Sequence, residues 1–233
     1  MSKLIRRFVL ALLLALTVVV GIMANTAYAA VWTSSDKFGT WTDGTYTLNN
    51  DVWGRGAGAQ TIWANSGTNW GVSSKQRDTR GVKSYPHSGI TINKTLSSLN
   101  SVTSNFDVSV PASGAYETAY DIWANNYSYE IMLWMNKTGA VGPLGSYQTT
   151  VSVGGYNWDV YSGNNGSNAV FSFLNTGYAT SGTVDILAVF KWIQSKGWFG
   201  DVTLSYPQFG FEITSTNNTV EDFTANNVTI SYS

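Results

Sequence analysis

The chain has 233 residues, of which 14% are aromatic and only 12% charged, and its formal net charge is -1. This length suits one good-sized domain with a sizeable core. The near-neutral charge and the lack of a basic cluster argue against nucleic acid as a partner. Ten Trp and 13 Tyr accompany 23 Gly, a mixture that suggests many short strands and flat apolar faces on which sugar rings stack. A plain β-sandwich with an aromatic core would have the same composition.

The N-terminus carries Lys3, Arg6 and Arg7, then an apolar run from Phe8 to Met23, then Ala27-Tyr28-Ala29. That is the order of a signal peptide with an A-x-A cleavage site. The expectation is a leader over residues 1–29, cut after Ala29, and a single domain over 30–233. The apolar run falls short of the ~20 residues of a spanning helix; an uncleaved anchor is the alternative. The expected location is extracellular, with no stable membrane association after cleavage. The chain has no Cys, so an exported fold would be held by its core rather than by disulfides.

From Val31 onward short strands alternate with Gly, Asn and Ser turns. Strands are expected at Thr45–Leu48, Gln60–Trp63, Asn69–Val72 and Ser101–Val110, with Gly81–His87 read as a short strand ended by Pro86. Thr118–Trp123 and Ser128–Asn136 read as a hairpin closed by Ala124-Asn125-Asn126-Tyr127. In the simplest register Trp123 pairs with Ser128, which sets Asp121 directly opposite Glu130. Three more strands follow at Tyr147–Val153, Tyr156–Tyr161 and Ala169–Leu174. The period then changes, and Thr183–Gly197 reads as one helix, capped by Ser181 or Thr183 and stopped by Gly197. Val202–Tyr206, Gln208–Thr214 and Val228–Tyr232 return to strands. Close-spaced strands with a single helix predict a one-domain, two-sheet sandwich.

Two strands carry a carboxylate against their own apolar alternation. In Tyr129–Asn136, Ile131, Leu133 and Met135 face one way, and Glu130, Met132, Trp134 and Asn136 the other. In Gln208–Thr214, Phe209, Phe211 and Ile213 oppose Glu212. A carboxylate beside Met and Trp is costly without partners or a task. Two such Glu residues meeting across a concave sheet would suit acid/base work on a glycosidic bond, with one ionised and the other holding a proton. The alternative is a pair of solvated outward carboxylates.

Tyr120-Asp121-Ile122-Trp123, Tyr129 to Asn136, Gly142-Pro143-Leu144-Gly145 and Phe209-Gly210-Phe211-Glu212 together resemble the signature segments of glycoside hydrolase family 12. Asn49 to Gly54 and Val82 to Pro86 resemble its early strands. The resemblance implies an all-β jelly roll of two curved antiparallel sheets with one helix on the convex side. It also implies retaining endo-hydrolysis of β-1,4-glucans, without metal or cofactor; separately, a monomer is expected. Carried over by motif, Glu130 is the nucleophile, Glu212 the general acid/base, and Asp121 the carboxylate hydrogen-bonded to the nucleophile. Trp53, Asn50, Met132, Trp134, Tyr85 and Pro143 fall at substrate-binding positions. The chain departs from the family's pattern in lacking an aromatic residue after Glu212 and in lacking a disulfide. His87 follows the Tyr-Pro pair where relatives carry a smaller polar residue, and it reads as a surface or loop residue. Preference among cellulose, mixed-linkage glucan and xyloglucan is left open, as are a non-catalytic carbohydrate-binding sandwich and a related xylanase.

Overall fold

The structure, a computed structural model, describes residues 29–233; the expected leader lies outside them. In chain order the first strands are β1 (Trp32–Ser34), β2 (Thr40–Asp43), β3 (Tyr46–Asn49), β4 (Ala59–Ser66), β5 (Asn69–Lys75) and β6 (His87–Ile90). The short β7 (Lys94–Thr95), β8 (Val102–Ser109), β9 (Ala115–Ala124) and β10 (Tyr129–Thr138) follow. Next come β11 (Ser146–Val153), β12 (Tyr156–Asn164), β13 (Ala169–Asn175) and β14 (Ser181–Asp185). The helix α1 (Ile186–Ser195) then leads into the long strands β15 (Thr203–Ser215) and β16 (Glu221–Tyr232).

Six strands form one sheet in the order β1-β4-β5-β16-β8-β14. The larger sheet has ten, running β11-β12-β13-β10-β9-β15-β6-β3-β2 with β7 pairing the start of β15. Neighbours pair antiparallel except β10 with β13, which are parallel. This is the expected jelly-roll sandwich.

Its core lies between the sheets and is built by alternation. Ile131, Leu133 and Met135 of β10, Tyr120 and Ile122 of β9, and Phe209, Phe211 and Ile213 of β15 are all fully buried. Tyr120 meets Phe209 edge-on, with ring centroids 4.7 Å apart. Burying each such side chain stabilises the fold by about 1.5–3 kcal/mol. The helix closes the end of this layer, with Trp192 against Phe173 at 5.6 Å and Trp198 stacked on Phe171 at 5.3 Å.

Three local expectations change. Residues 181–185 are not helical; they pair with β8 as an edge strand that buries Val184. The helix starts at Ile186 and its cap is Asp185, whose carboxylate accepts from the Ala188 N–H at 2.9 Å. Residues 81–86 form no regular strand. They make isolated bridges through Ser84 to Val52 and Ile213, and β6 begins only after Pro86. Finally, β15 runs unbroken through Pro207, which sits beside a bulge between Leu204 and Tyr206 where a ladder hydrogen bond is dispensable.

Candidate active site

The outer, concave face of the large sheet holds the carboxylates. Glu130 is on β10, Asp121 on β9 and Glu212 on β15, three adjacent strands in the order β10-β9-β15. All three line one cavity of about 340 Å³, together with Asp51, Trp53, Trp123, Asn165 and Gln208. The hairpin register differs from the simplest one. The loop spans residues 125–128, with Asn125, Asn126 and Tyr127 all left-handed. Glu130 therefore pairs with Trp123, and Asp121 with Met132 on one side and Gln208 on the other. The shift is two residues, so parity is kept. Asp121 stays on the face of Glu130 but as a diagonal neighbour, roughly 7–8 Å away between Cα atoms.

Burial governs the electrostatics. The Glu130 carboxyl is pushed up to about 7 by burial, with the charge of Glu212 adding to the effect. One hydrogen bond opposes this, from Asn165 Nδ2 to Glu130 Oε2 at 3.0 Å. Asn165 cannot turn its amide around, because its Oδ1 accepts from the Ser167 and Asn168 N–H groups at 3.0 and 2.8 Å. Asp121 is held well above the usual carboxylate range by burial, then by the charges of Glu130, Glu212 and Asp51. Its Oδ1 has no protein partner. A neutral Asp121 can donate a hydrogen bond to an anion, and the charge of Glu130 is the first-named influence on it after burial. Asp51, on a left-handed residue with φ 41°, is raised by burial to about 6.

Glu117 has no part in the sequence analysis and belongs to the site. It pairs directly with Glu212 across β9 and β15, and the two carboxyls are hydrogen-bonded. Burial and the charge of Glu212 hold Glu117 well up, while Lys137, its partner on β10, works the other way. Glu212 is itself raised by burial, and the bond from Glu117 moderates this. A carboxylate four residues before Asp121 on the same strand was the available signal, since residues i and i+4 of a strand share a face.

The other sequence-predicted residues divide. Trp53 is half-exposed on the cavity wall and open to stacking. Tyr85 lines the same cavity, but its hydroxyl is engaged with the Ala119 carbonyl at 3.0 Å. Met132 and Trp134 are buried in a small apolar cluster with Ala119 and Leu174 on the cleft side of the sheet. Trp134 also borders a separate cavity of about 190 Å³. Pro143 is half-buried in the loop after β10 and is not among the residues lining the carboxylate cavity. Asn50 is a correction. It is fully buried, donates to the Asp36 carbonyl at 2.8 Å and accepts from Gln60 at 3.0 Å, so it frames the loop before Trp53 and cannot meet a ligand. Asn136 also changes face. A bulge between Trp134 and Asn136 resets the alternation, so that Lys137 opposes Glu117 and Asn136 opposes Thr118.

His87 is corrected as well. It is a buried residue at the start of β6, stacked on Tyr85 at 5.0 Å and lining the cleft. Its Nδ1–H donates to the Tyr85 carbonyl at 2.7 Å, leaving Nε2 to accept from Asn49 at 3.1 Å. Burial lowers its pKa to about 4, so the ring is neutral. Among the described residues no cluster of His, Cys, Asp and Glu has the geometry of a metal site.

Residues 44–232 match the sequence pattern of glycosyl hydrolase family 12. The chain belongs to that family. It is 36% identical over 205 residues to endoglucanase S of Pectobacterium parmentieri, covering 72% of this chain and 75% of that one. A probable xyloglucan-specific endo-beta-1,4-glucanase A of Aspergillus fumigatus is 31% identical over 240 residues, covering 94% and 98%. Among solved structures, the xyloglucanase domain of NopAA from Sinorhizobium fredii, in complex with cellobiose, superposes with a TM-score of 0.85 at 39% identity. That match covers 88% of this chain and all of the other. The family 12 protein is thus a glycoside hydrolase.

Proposed function

We propose that the protein is a secreted, retaining endo-β-1,4-glucanase acting by double displacement. The observation that carries this reading is the set of carboxyls on β10, β9 and β15, sharing one cavity with an exposed Trp53 on its wall. In this mechanism Glu130 attacks C1 while Glu212 protonates the departing O4, giving a covalent glycosyl-enzyme. Glu212, now ionised, takes a proton from water, which attacks C1 and releases the sugar with retained configuration. The Asn165 hydrogen bond favours ionised Glu130, as a nucleophile requires. Asp121, kept neutral by burial and its acidic neighbours, supports the same charge. Glu117 beside Glu212 supplies a second carboxyl to the acid/base side, so that protons there belong to a coupled pair.

The test is reducing-sugar release from carboxymethylcellulose, mixed-linkage glucan and xyloglucan, with product anomers followed by proton NMR. The β anomer should appear first. Initial release of the α anomer, or no release from any of the three, would sink the proposal.

A second reading, specificity for xyloglucan, is favoured by a wide polar cavity of about 690 Å³ beside the cleft. It is lined by Thr47, Thr91, Asn93, Asn125 and Tyr206 and shares Tyr127 with the carboxylate cavity, leaving room for a branch sugar. Several relatives carry xyloglucan specificity in their names. A higher kcat/KM on xyloglucan than on carboxymethylcellulose is the expected result of that reading.

The leader is part of the same proposal. Among the described residues no helix is long and apolar enough to cross a membrane. N-terminal sequencing of protein recovered from culture medium should start at Ala30.

A further inference from the structure

Beyond Arg7, the sequence contains only three arginines, Arg55, Arg77 and Arg80. Folding brings all three to the rim of one pocket of about 270 Å³, whose remaining lining residues are Gly56 and Thr79. No carboxylate lines it. Between residues 55 and 83 the chain carries Arg55, Lys75, Arg77, Arg80 and Lys83 against the single acid Asp78, although the whole chain has a net charge of -1. The sequence shows no basic run because the cluster is assembled from two loops.

Those loops are built, not merely adjacent. The Trp53 and Gly54 N–H groups donate to the Lys83 carbonyl at 3.2 and 2.9 Å, and the Gly58 N–H to Gln76 Oε1 at 2.7 Å. They pass so closely that a side chain at Gly54 would collide with the Val82 carbonyl, and one at Gly58 with the Lys75 carbonyl. Lys83 is buried, and its ammonium donates to the carbonyls of Thr79 and Arg80, each at 3.1 Å, and to that of Gly81. This bond set pins the turn that carries Arg77 and Arg80. Gln76 in turn accepts from Thr216 and Asn218 at 3.1 and 2.9 Å, which ties the turn to the end of β15.

We propose that this arginine pocket binds the carboxylates of an acidic, uronate-bearing polysaccharide alongside the glucan cleft. Guanidinium forks match carboxylates in a bidentate way, and three forks around one pocket suit a polymer that repeats its carboxylate along the chain. The pocket is large enough for about one sugar ring. Position favours a polysaccharide over other polyanions. Arg55 lies two residues beyond Trp53, so their Cα atoms are at most about 7 Å apart, and Trp53 is on the wall of the carboxylate cavity. A chain held at the arginines would keep the cleft against the mixed polymers of which the neutral glucan is a part. The choice of a polysaccharide as the bearer of the carboxylates rests on the glucanase reading; the cationic pocket does not.

The test is native affinity electrophoresis of the full mature protein in gels containing polygalacturonate. Fully methyl-esterified pectin and carboxylate-free glucan serve as uncharged comparisons. The wild type should be retarded by polygalacturonate, and less so as salt is raised. Arg55→Ala/Arg77→Ala/Arg80→Ala should weaken this by about tenfold or more, as expected when several exposed charge contacts act together. Hydrolysis of a soluble neutral glucan should be unchanged in the triple variant, which also reports that it folds. Equal retardation of wild type and variant, or none of either, overturns the proposal. So does tighter binding to duplex DNA, or to phosphatidylcholine vesicles containing phosphatidylglycerol, than to polygalacturonate. Retardation in a protein that hydrolyses no glucan would leave the pocket standing and remove the glucanase reading instead.

Discussion

The two faces of the ten-stranded sheet are made by the same strands and obey opposite rules. On the inner face Ile131, Leu133, Tyr120, Phe209 and Phe211 are buried among other apolar groups, and the Tyr120 hydroxyl is satisfied by Ser104 at 2.8 Å. On the outer face the next residues along the same strands are Glu130, Asp121, Glu117 and Glu212, whose pKa values are all raised by burial. Glu117 Oε2, Asp121 Oδ1, Trp134 Nε1 and Ser172 Oγ on this face have no protein partner, against Thr118 Oγ1 and Asn136 Oδ1 on the inner face. Buried polar atoms of this kind each cost about 1–3 kcal/mol. The inner face therefore supplies the stability, and the outer face uses part of it to hold carboxyls where charge is disfavoured. In the proposed mechanism, that raised proton affinity is what lets such carboxyls exchange protons.

The largest expected effects separate the faces cleanly. Glu130→Ala and Glu212→Ala should each lower kcat by about 10³-fold or more, since in the proposed mechanism each removes a group that forms or breaks a bond. Neither should lower the thermal midpoint. On the inner face, Phe209→Ala should cost about 3–5 kcal/mol by leaving a cavity beside Tyr120 and Phe106. The protein that remains folded at low temperature should keep its kcat. If Phe209→Ala abolished activity in fully folded protein, or Glu130→Ala unfolded it, the division of labour would be wrong.

A smaller effect has an unusual sign. Asp51 moves from 3.8 to about 6 and Glu130 from 4.5 to about 7 on folding. A carboxyl raised in the folded state keeps a proton that the unfolded chain has already released, so folding is favoured at low pH. That stability is fully present below about pH 4 and is lost as pH rises to about 7, as these groups ionise. The thermal midpoint should fall across that window. Glu130→Gln should remove part of the slope and stabilise the protein at pH 7.5 by on the order of 2 kcal/mol, after allowing for partial solvent access. That is about 4–8 °C for a domain of this size. Below pH 4.5 the variant should show no gain. A midpoint that rises from pH 4 to 7 would show that the carboxyls are better solvated or better paired than their surroundings imply.

The alternation of Ile131, Leu133 and Met135 against Glu130 and Met132 was legible because strand parity has only two outcomes. Everything that depended on counting residues in a turn was less so. Three left-handed residues, Asn125, Asn126 and Tyr127, carry the hairpin. A tyrosine gives no signal for that conformation, and the register slid by two. The bulge after Trp134 likewise has no mark in the sequence, and it decides that Lys137 rather than Asn136 meets Glu117. Asn50 matched a family position yet is fully buried, because its neighbour Asp51 takes a left-handed conformation and turns the chain. His87 read as a surface or loop residue because a lone His carries no pattern of its own, whereas it opens β6 and is buried. Asn165 and the arginine pocket depend on loops folding onto distant strands. Such contacts are set by tertiary packing, and no local pattern encodes them.

Asn165 gives the finest test of how the outer face is tuned. Its amide is oriented by the Ser167 and Asn168 N–H groups, so that only its NH₂ can face Glu130. That bond favours the ionised carboxylate against burial and the charge of Glu212, both of which favour the proton. Asn165→Ala should therefore raise the Glu130 pKa. Because the proposed nucleophile must be ionised, the acid limb of kcat/KM should move to higher pH by about one unit, the equivalent of one hydrogen bond to a charged group. At the pH optimum the loss should be about tenfold or less, with KM nearly unchanged. An acid limb that stays in place while KM rises would instead make Asn165 a contact for the sugar. The charge on Glu130 would then be governed by burial and Glu212 alone.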